Sequence, residues 1–257
     1  MSGIKLLING LAGAGKTDLL RTLGKETLVI SRDAKSFALP LPHMLVDTYY
    51  NMKTLCYGGN INIDGESVYI DGILDKMDKY NEKMEEYPEI VVIDSVSQIF
   101  MDVIDKASQT PNVYGSQGAE VTKEMAILTS FIHEQLELNG ISVILLNHVI
   151  EEKIEGKATG AYESFGSGKF LAKGGFYSTT NEAVTITISG VHRIVYTRGA
   201  DKQARTSLVD IPDRMYVANT VHPDKSKKLP DGEEFFTLKG HITKLKAGLL
   251  DLKAWSI

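Results

Sequence analysis

Ile4-Lys5-Leu6-Leu7-Ile8-Asn9-Gly10-Leu11-Ala12-Gly13-Ala14-Gly15-Lys16-Thr17 is an apolar run that leads directly into the pattern G-x-x-x-x-G-K-[ST]. A short apolar run before a glycine-rich turn reads as a buried strand, and the residues after it read as a helix. Gly10, Gly13 and Gly15 let the backbone curl tightly enough to aim several N–H groups at phosphate oxygens, and the helix adds its positive N-terminal end. Lys16 then reaches the β- and γ-phosphates and Thr17 ligates Mg2+, with Ala14 and Asp18 completing the cradle. The stretch implies binding of a nucleoside triphosphate with magnesium. A glycine-rich turn matching by accident is the alternative, and the strand before, the helix after and the four fixed positions weigh against it.

Working outward, 257 residues with 43% hydrophobic and 24% charged side chains are enough to bury a sizeable core without further staples. A single domain over 1–257 is expected, with a core over about 1–210 and a C-terminal extension over about 211–257. Cys56 is the only cysteine, which excludes an intrachain disulfide and a cysteine-rich metal site and suits a reducing compartment. The N-terminal apolar run is too short for a signal sequence and leads into the phosphate loop, and no window is long enough to span a bilayer. A net charge of −5 argues against a wholly basic nucleic-acid coat, although not against a local basic groove.

Apolar β-rich runs alternate with helical patterns, as in an α/β fold with a mostly parallel central sheet flanked by helices. A helix from Lys16 to near Gly24, a strand over 27–31, a helical stretch within 67–86 and a strand over 90–93 follow one another. Val121, Met125, Leu128, Ile132 and Leu136 recur at spacings of three and four, which places one apolar face on a helix closed by Asn139-Gly140. A buried strand over 142–146 comes next. Residues 183–189 and 191–197 alternate around Gly190 and predict a C-terminal β-hairpin at the sheet edge.

Two strand tips carry further polar residues. Ile90-Val91-Val92-Ile93-Asp94-Ser95 is an apolar strand ending in an acidic residue, and Asp94 is the candidate magnesium partner, with a capping role as the alternative. Val143-Ile144-Leu145-Leu146-Asn147-His148 ends in two polar side chains expected just beyond the strand, facing the γ-phosphate. A histidine on an apolar strand is commonly structural, but at such a tip its neutral ring can hydrogen-bond phosphate or orient water.

Phosphate loop, acidic residue after the second strand, Ile-Asp-Ser-Val, long helix, strand ending Asn-His and glycine-rich loop together resemble the core of RecA-like recombinase ATPases. Over about residues 1–210 the chain looks most similar to the short phage members, the Sak-type single-strand annealing ATPases. The resemblance implies a RecA-like P-loop fold, DNA-stimulated ATP hydrolysis, a filament or ring of identical subunits, and a phage protein acting in the bacterial cytoplasm. Asp94 matches the family's magnesium aspartate. Asn147-His148 matches an Asn-Gln pair whose second member senses the γ-phosphate, so His148 departs from that glutamine. The family's glutamate base matches Asp33 in Ser31-Arg32-Asp33. An aspartate is one methylene shorter, which implies slow hydrolysis, and the alternative is a loop carboxylate beside Arg32.

By the same resemblance, single-stranded DNA is held by loops near 105–118 and 151–180. The first contains Tyr114. The second carries Lys153, Lys157, Lys169 and Lys173 with Tyr162, Phe165, Phe170, Phe176 and Tyr177, a mixture that can neutralise phosphates and stack on bases. Glu151, Glu152, Glu155 and Glu163 offset the lysines, so 166–173 is the better DNA segment. Tyr114, Lys157, Phe165, Lys169 and Lys173 are the DNA candidates. Arg198, Lys202 and Arg205 follow the hairpin and either enter a neighbour's nucleotide site in trans or form a solvated basic turn. A single-strand DNA-binding protein is a further expected partner. A helicase-type motor on the same core, and a small-molecule or nucleotide kinase, remain alternatives. The tail contains a helix after Phe236 that either caps the core or contacts a neighbour.

Overall fold

The computed structural model describes residues 2–32, 38–46, 50–109, 116–164, 175–190, 192–217 and 235–254. In chain order the elements are β1 (Lys5–Gly10), α1 (Lys16–Leu19) with a 3-10 turn Leu20–Thr22, β2 (Thr27–Ser31), β3 (His43–Leu45) and α2 (Met52–Tyr57). There follow β4 (Gly59–Ile63), β5 (Glu66–Ile70), α3 (Ile73–Met84), β6 (Ile90–Asp94), α4 (Val96–Ser108) and α5 (Ser116–Phe131), which continues as a π-helical turn Ile132–Glu137. The chain proceeds through β7 (Ser142–Ile154), β8 (Lys157–Ser164), α6 (Gly175–Thr179), β9 (Glu182–Ser189) and β10 (His192–Tyr196), then β11 (Arg214–Val217), β12 (Phe235–Phe236) and α7 (Leu238–Ala254).

The main sheet runs β12-β11-β10-β9-β1-β7-β6-β2-β3. From β9 to β3 every neighbouring pair is parallel. The phosphate-loop strand β1 is therefore separated from the acidic strand β6 by β7. The expected α/β architecture, a mostly parallel sheet flanked by helices with an antiparallel C-terminal hairpin, is the one observed. The hairpin is not the outermost pair, however: β9 joins β1 directly, while β11 and β12 extend the sheet beyond β10.

Consecutive residues on the central strands are buried on opposite faces, so the strands read as continuous apolar runs. Leu7, Val91, Ile93, Val143 and Leu145 pack under α3, α4 and α5, where Tyr80, Phe100 and Phe131 are the bulkiest side chains. Leu6, Ile8, Val92, Ile144 and Leu146 face the other way, against Leu19 and Leu20 and against Leu238, Ile242 and Leu245 of α7. Each such side chain contributes about 1.5–3 kcal/mol through burial. The predicted stripe Val121, Met125, Leu128, Ile132 and Leu136 is buried throughout. Asn139 caps that helix, donating through Nδ2 to the Glu134 and Gln135 carbonyls, and Gly140 takes φ 83° as it leaves. The tail helix caps the core, because its apolar face joins the second cluster.

Three expectations require correction. The first helix ends early, passing into a 3-10 turn that stops at Thr22, and the Gly24 N–H donates to the Glu26 carboxylate. β7 does not stop at residue 146 but runs on to Ile154, pairing with β8 across a Glu155-Gly156 turn in which both residues have positive φ. Residues 151–164 thus form a two-stranded ribbon where an irregular loop was expected. The turn supplies the left-handed backbone that a two-residue hairpin needs. Asp64-Gly65 does the same for β4–β5, a hairpin that the sequence reading passed over.

His241 on α7 is 3% exposed, packs beside Phe236, and neither ring nitrogen has a hydrogen-bond partner among the described residues. Burial, aided by Lys244, lowers its pKa to about 4. The folded form therefore excludes a proton that the unfolded chain binds below its ordinary value near 6.5. Stability contributed by the neutral ring is complete above about pH 6.5 and is lost as pH falls toward 4, by roughly 3 kcal/mol in total. His241→Leu should flatten that part of the stability–pH curve, as read by urea denaturation between pH 7 and 4.

Candidate nucleotide site

Strand register brings the polar tips together. Gly10 lies opposite His148 and Ile186, and Asp94 lies opposite Leu146 and Ser31. These positions line the C-terminal edge of the parallel strands, where open α/β sheets hold ligands. A cleft of about 350 Å³ opens there, lined by Gly13, Gly15, Lys16, Thr17, Asp94 and His148, with Arg193 above them. A separate cavity of about 360 Å³ beside Val46, Leu55 and Tyr69 holds none of the motif residues.

Lys16 is 6% exposed, and its ammonium donates to the Gly10 carbonyl at 2.8 Å and the Leu11 carbonyl at 3.1 Å. It also lies 3.3 Å from His148 Nδ1. Because an ammonium only donates, Nδ1 accepts and the ring proton resides on Nε2. Gly10 allows the loop to turn close to β9: a Cβ there would stand 2.8 Å from the Ile186 carbonyl oxygen. Thr17 Oγ1 donates to Asp94 Oδ2 at 3.1 Å. Neighbouring ligands of an octahedral Mg2+ stand roughly 3 Å apart, so these two oxygens fit adjacent coordination positions.

Behind the cleft runs a buried polar chain. Asn9 Nδ2 donates to the Gln203 carbonyl at 3.0 Å, Asn147 Nδ2 donates to Asn9 Oδ1 at 2.9 Å, and Ser97 Oγ donates to Asn147 Oδ1 at 2.7 Å. Ser97 Oγ in turn accepts the His148 backbone N–H at 2.6 Å. Asn147 is therefore not at a free tip facing phosphate. It lies inside β7, 1% exposed, and fixes the backbone on which His148 is presented. Ser95, next to Asp94, caps α4 by accepting the Gln98 N–H at 3.3 Å.

Asp18 borders the cleft and pairs with Arg193 at 2.8 Å and Arg21 at 3.5 Å. Arg32 is bound to Asp102 at 2.7 Å, which makes it a tie to α4. Asp33, Tyr114, Phe165, Lys169 and Lys173 lie outside the described residues. Lys157 is exposed on the β7–β8 ribbon. The three basic residues after β10 are held within their own chain. Arg198 donates to the Ile211 carbonyl at 2.8 Å and to Asp213 at 2.9 Å. Lys202 donates to the Gly160 carbonyl and lies 5.0 Å from the Tyr162 ring centre. Arg205 donates to the Tyr177 and Thr180 carbonyls and stacks 4.4 Å above Tyr177.

Sequence reasoning missed Asn9, Ser97 and Arg193. Asn9 was legible as a polar residue at the end of an apolar strand, and Ser97 as part of Ser-Val-Ser after Asp94. Arg193 carried no local signal, since its role depends on β10 lying two strands from β1. No protein family and no curated protein matches the chain. Among solved structures, the RadB recombinase is similar with a TM-score of 0.45 at 11% identity, over 84% of this chain and 86% of that one.

Asn147→Ala leaves the Asn9 and Ser97 side chains each short of a buried partner. The expected cost is about 1–3 kcal/mol, measurable as a lowered midpoint in urea denaturation.

Proposed function

We propose that this chain is a RecA-like ATPase of the short, Sak-like kind, which binds Mg-ATP, assembles with copies of itself in a filament or ring, and loads on single-stranded DNA to support annealing or recombination. The observation that carries the reading is the convergence of Lys16, Thr17, Asp94 and His148 in one cleft at the C-terminal edge of the sheet. Four residues named from three separate motifs meet there.

In this reading Lys16 leaves its loop carbonyls to neutralise the β- and γ-phosphates, while Thr17 and Asp94 hold the magnesium that offsets the remaining charge. His148 offers its Nε2–H to the terminal phosphate, and the Ser97–Asn147 pair keeps it in position. Asp33 is the candidate base that orients the attacking water. The β7–β8 ribbon starts a few residues from His148, so Lys157 is tied through one strand to the phosphate site. Arg198, Lys202 and Arg205 can serve a neighbouring subunit only by exchanging their present partners.

Phosphate release from Mg-ATP, with and without single-stranded DNA, tests the whole reading: stimulation by DNA is expected, and formation of a phosphorylated acceptor would instead make the chain a kinase. Lys16→Ala should abolish phosphate release while leaving the circular dichroism spectrum unchanged. Lys169→Ala combined with Lys173→Ala should weaken single-strand binding and reduce the slope of log affinity against log salt by about one to two; an unchanged slope would remove that segment from the DNA site.

A further inference from the structure

Arg193 belongs to β10, yet its guanidinium lies across the phosphate loop, as its contacts with Asp18 and Gly15 show. Its Nη1 donates to Asp18 Oδ2 at 2.8 Å, and Asp18 directly follows Thr17. A Cβ placed on Gly15 would stand 2.7 Å from Arg193 Cζ and 2.9 Å from both Nε and Nη1. The guanidinium thus packs directly against Gly15, which takes φ 94° in the turn.

A guanidinium presents a planar fork that matches carboxylates and phosphates alike. Asp18 engages that fork within the cleft that Lys16, Thr17 and Asp94 also line. A phosphate group carries more charge than a carboxylate and competes for the same donors. Asp18 also retains Arg21 at 3.5 Å, so its carboxylate keeps a cationic neighbour when Arg193 departs.

We propose that Arg193 is a phosphate-binding residue supplied by the chain's own β10, and that Asp18 is its built-in competitor. In the arrangement seen here the Asp18–Arg193 pair covers the phosphate loop. A nucleoside di- or triphosphate entering the cleft takes the guanidinium from Asp18, so part of its binding energy is spent in opening the pair. Nucleotide affinity is therefore set by the difference between two anions contending for one arginine. The proposal rests on the nucleotide-binding reading above and adds a residue and a means of control to it.

The test is calorimetric titration of Mg-ADP into the full-length wild type and the variants Arg193→Ala, Arg193→Lys, Asp18→Asn and Asp18→Asn/Arg193→Ala, with thermal melting to confirm folding. Loss of a charge-assisted contact in Arg193→Ala is expected to weaken binding on the order of tenfold, and Arg193→Lys to restore only part of it. Asp18→Asn is expected to tighten binding by about threefold or more in the wild type and to have no such effect in Arg193→Ala, since the benefit acts through the arginine. Wild-type affinity in Arg193→Ala, or an equal gain from Asp18→Asn in both backgrounds, would overturn the proposal. Should Arg193→Ala fail to fold, an unchanged affinity in Asp18→Asn overturns it equally. If the wild type binds neither Mg-ADP nor Mg-ATP, the nucleotide-binding reading itself falls, an outcome distinct from a wild type that binds and variants that match it.

Discussion

The hydrogen bonds that Asn147 makes with Asn9 and Ser97 are the constraint around which the candidate site is arranged. At the C-terminal edge of a sheet covered on both faces, a polar side chain without a partner costs about 1–3 kcal/mol. Asn9, Asn147 and Ser97 satisfy one another in series, and each comes from a different element. β1, β7 and the start of α4 are thereby held in one register. The phosphate loop leaves β1 one residue after Asn9, Asp94 precedes α4, and His148 follows Asn147. A shift of any of the three elements would break this buried chain before it displaced the cleft residues.

The hydrophobic layers act on a larger scale with less directional control. Because alternate residues of β1, β6 and β7 enter two separate clusters, the sheet has no exposed central face and tolerates little sliding between strands. α7 completes one of those layers from the far end of the chain, with the Lys239 N–H donating to Thr22 Oγ1 at 3.2 Å behind the phosphate-loop helix. The C-terminal segment is in this way part of the support beneath the site.

What the sequence made legible follows the range of the interactions involved. The phosphate loop, β2, β6 and the stripe on α5 are local patterns of glycine spacing or apolar period, and each lies where its pattern placed it. The two ribbons β4–β5 and β7–β8 are also local, signalled by Asp64-Gly65 and Glu155-Gly156, but the glycine and charge content of 151–180 resembles that of an irregular loop and masks the second signal. Arg193 and the Gln203–Asn9 bond belong to a different kind. They join residues 175 or more positions apart through a strand order that residue spacing alone does not specify. The basic residues 198–205 were visible as charge, whereas their contacts with Gly160, Tyr177 and Ile211 depend on the same long-range order.

β7 passes from one solvent environment to another within a single strand. Parallel neighbours flank it as far as Leu146 on the β6 side and His148 on the β1 side; from Val149 onward its paired strand is β8, and at Ile150, which is 51% exposed, the cover ends. Backbone amides in the first half are shielded by the whole domain, and those in the second by one ribbon whose pairing is interrupted between Glu151 and Lys153. Stiffness therefore drops over two or three residues, beside His148. A strand built this way behaves like a cantilever clamped at the nucleotide cleft: the clamp is set by where hydrophobic cover stops, and the freely bending length begins immediately outside it.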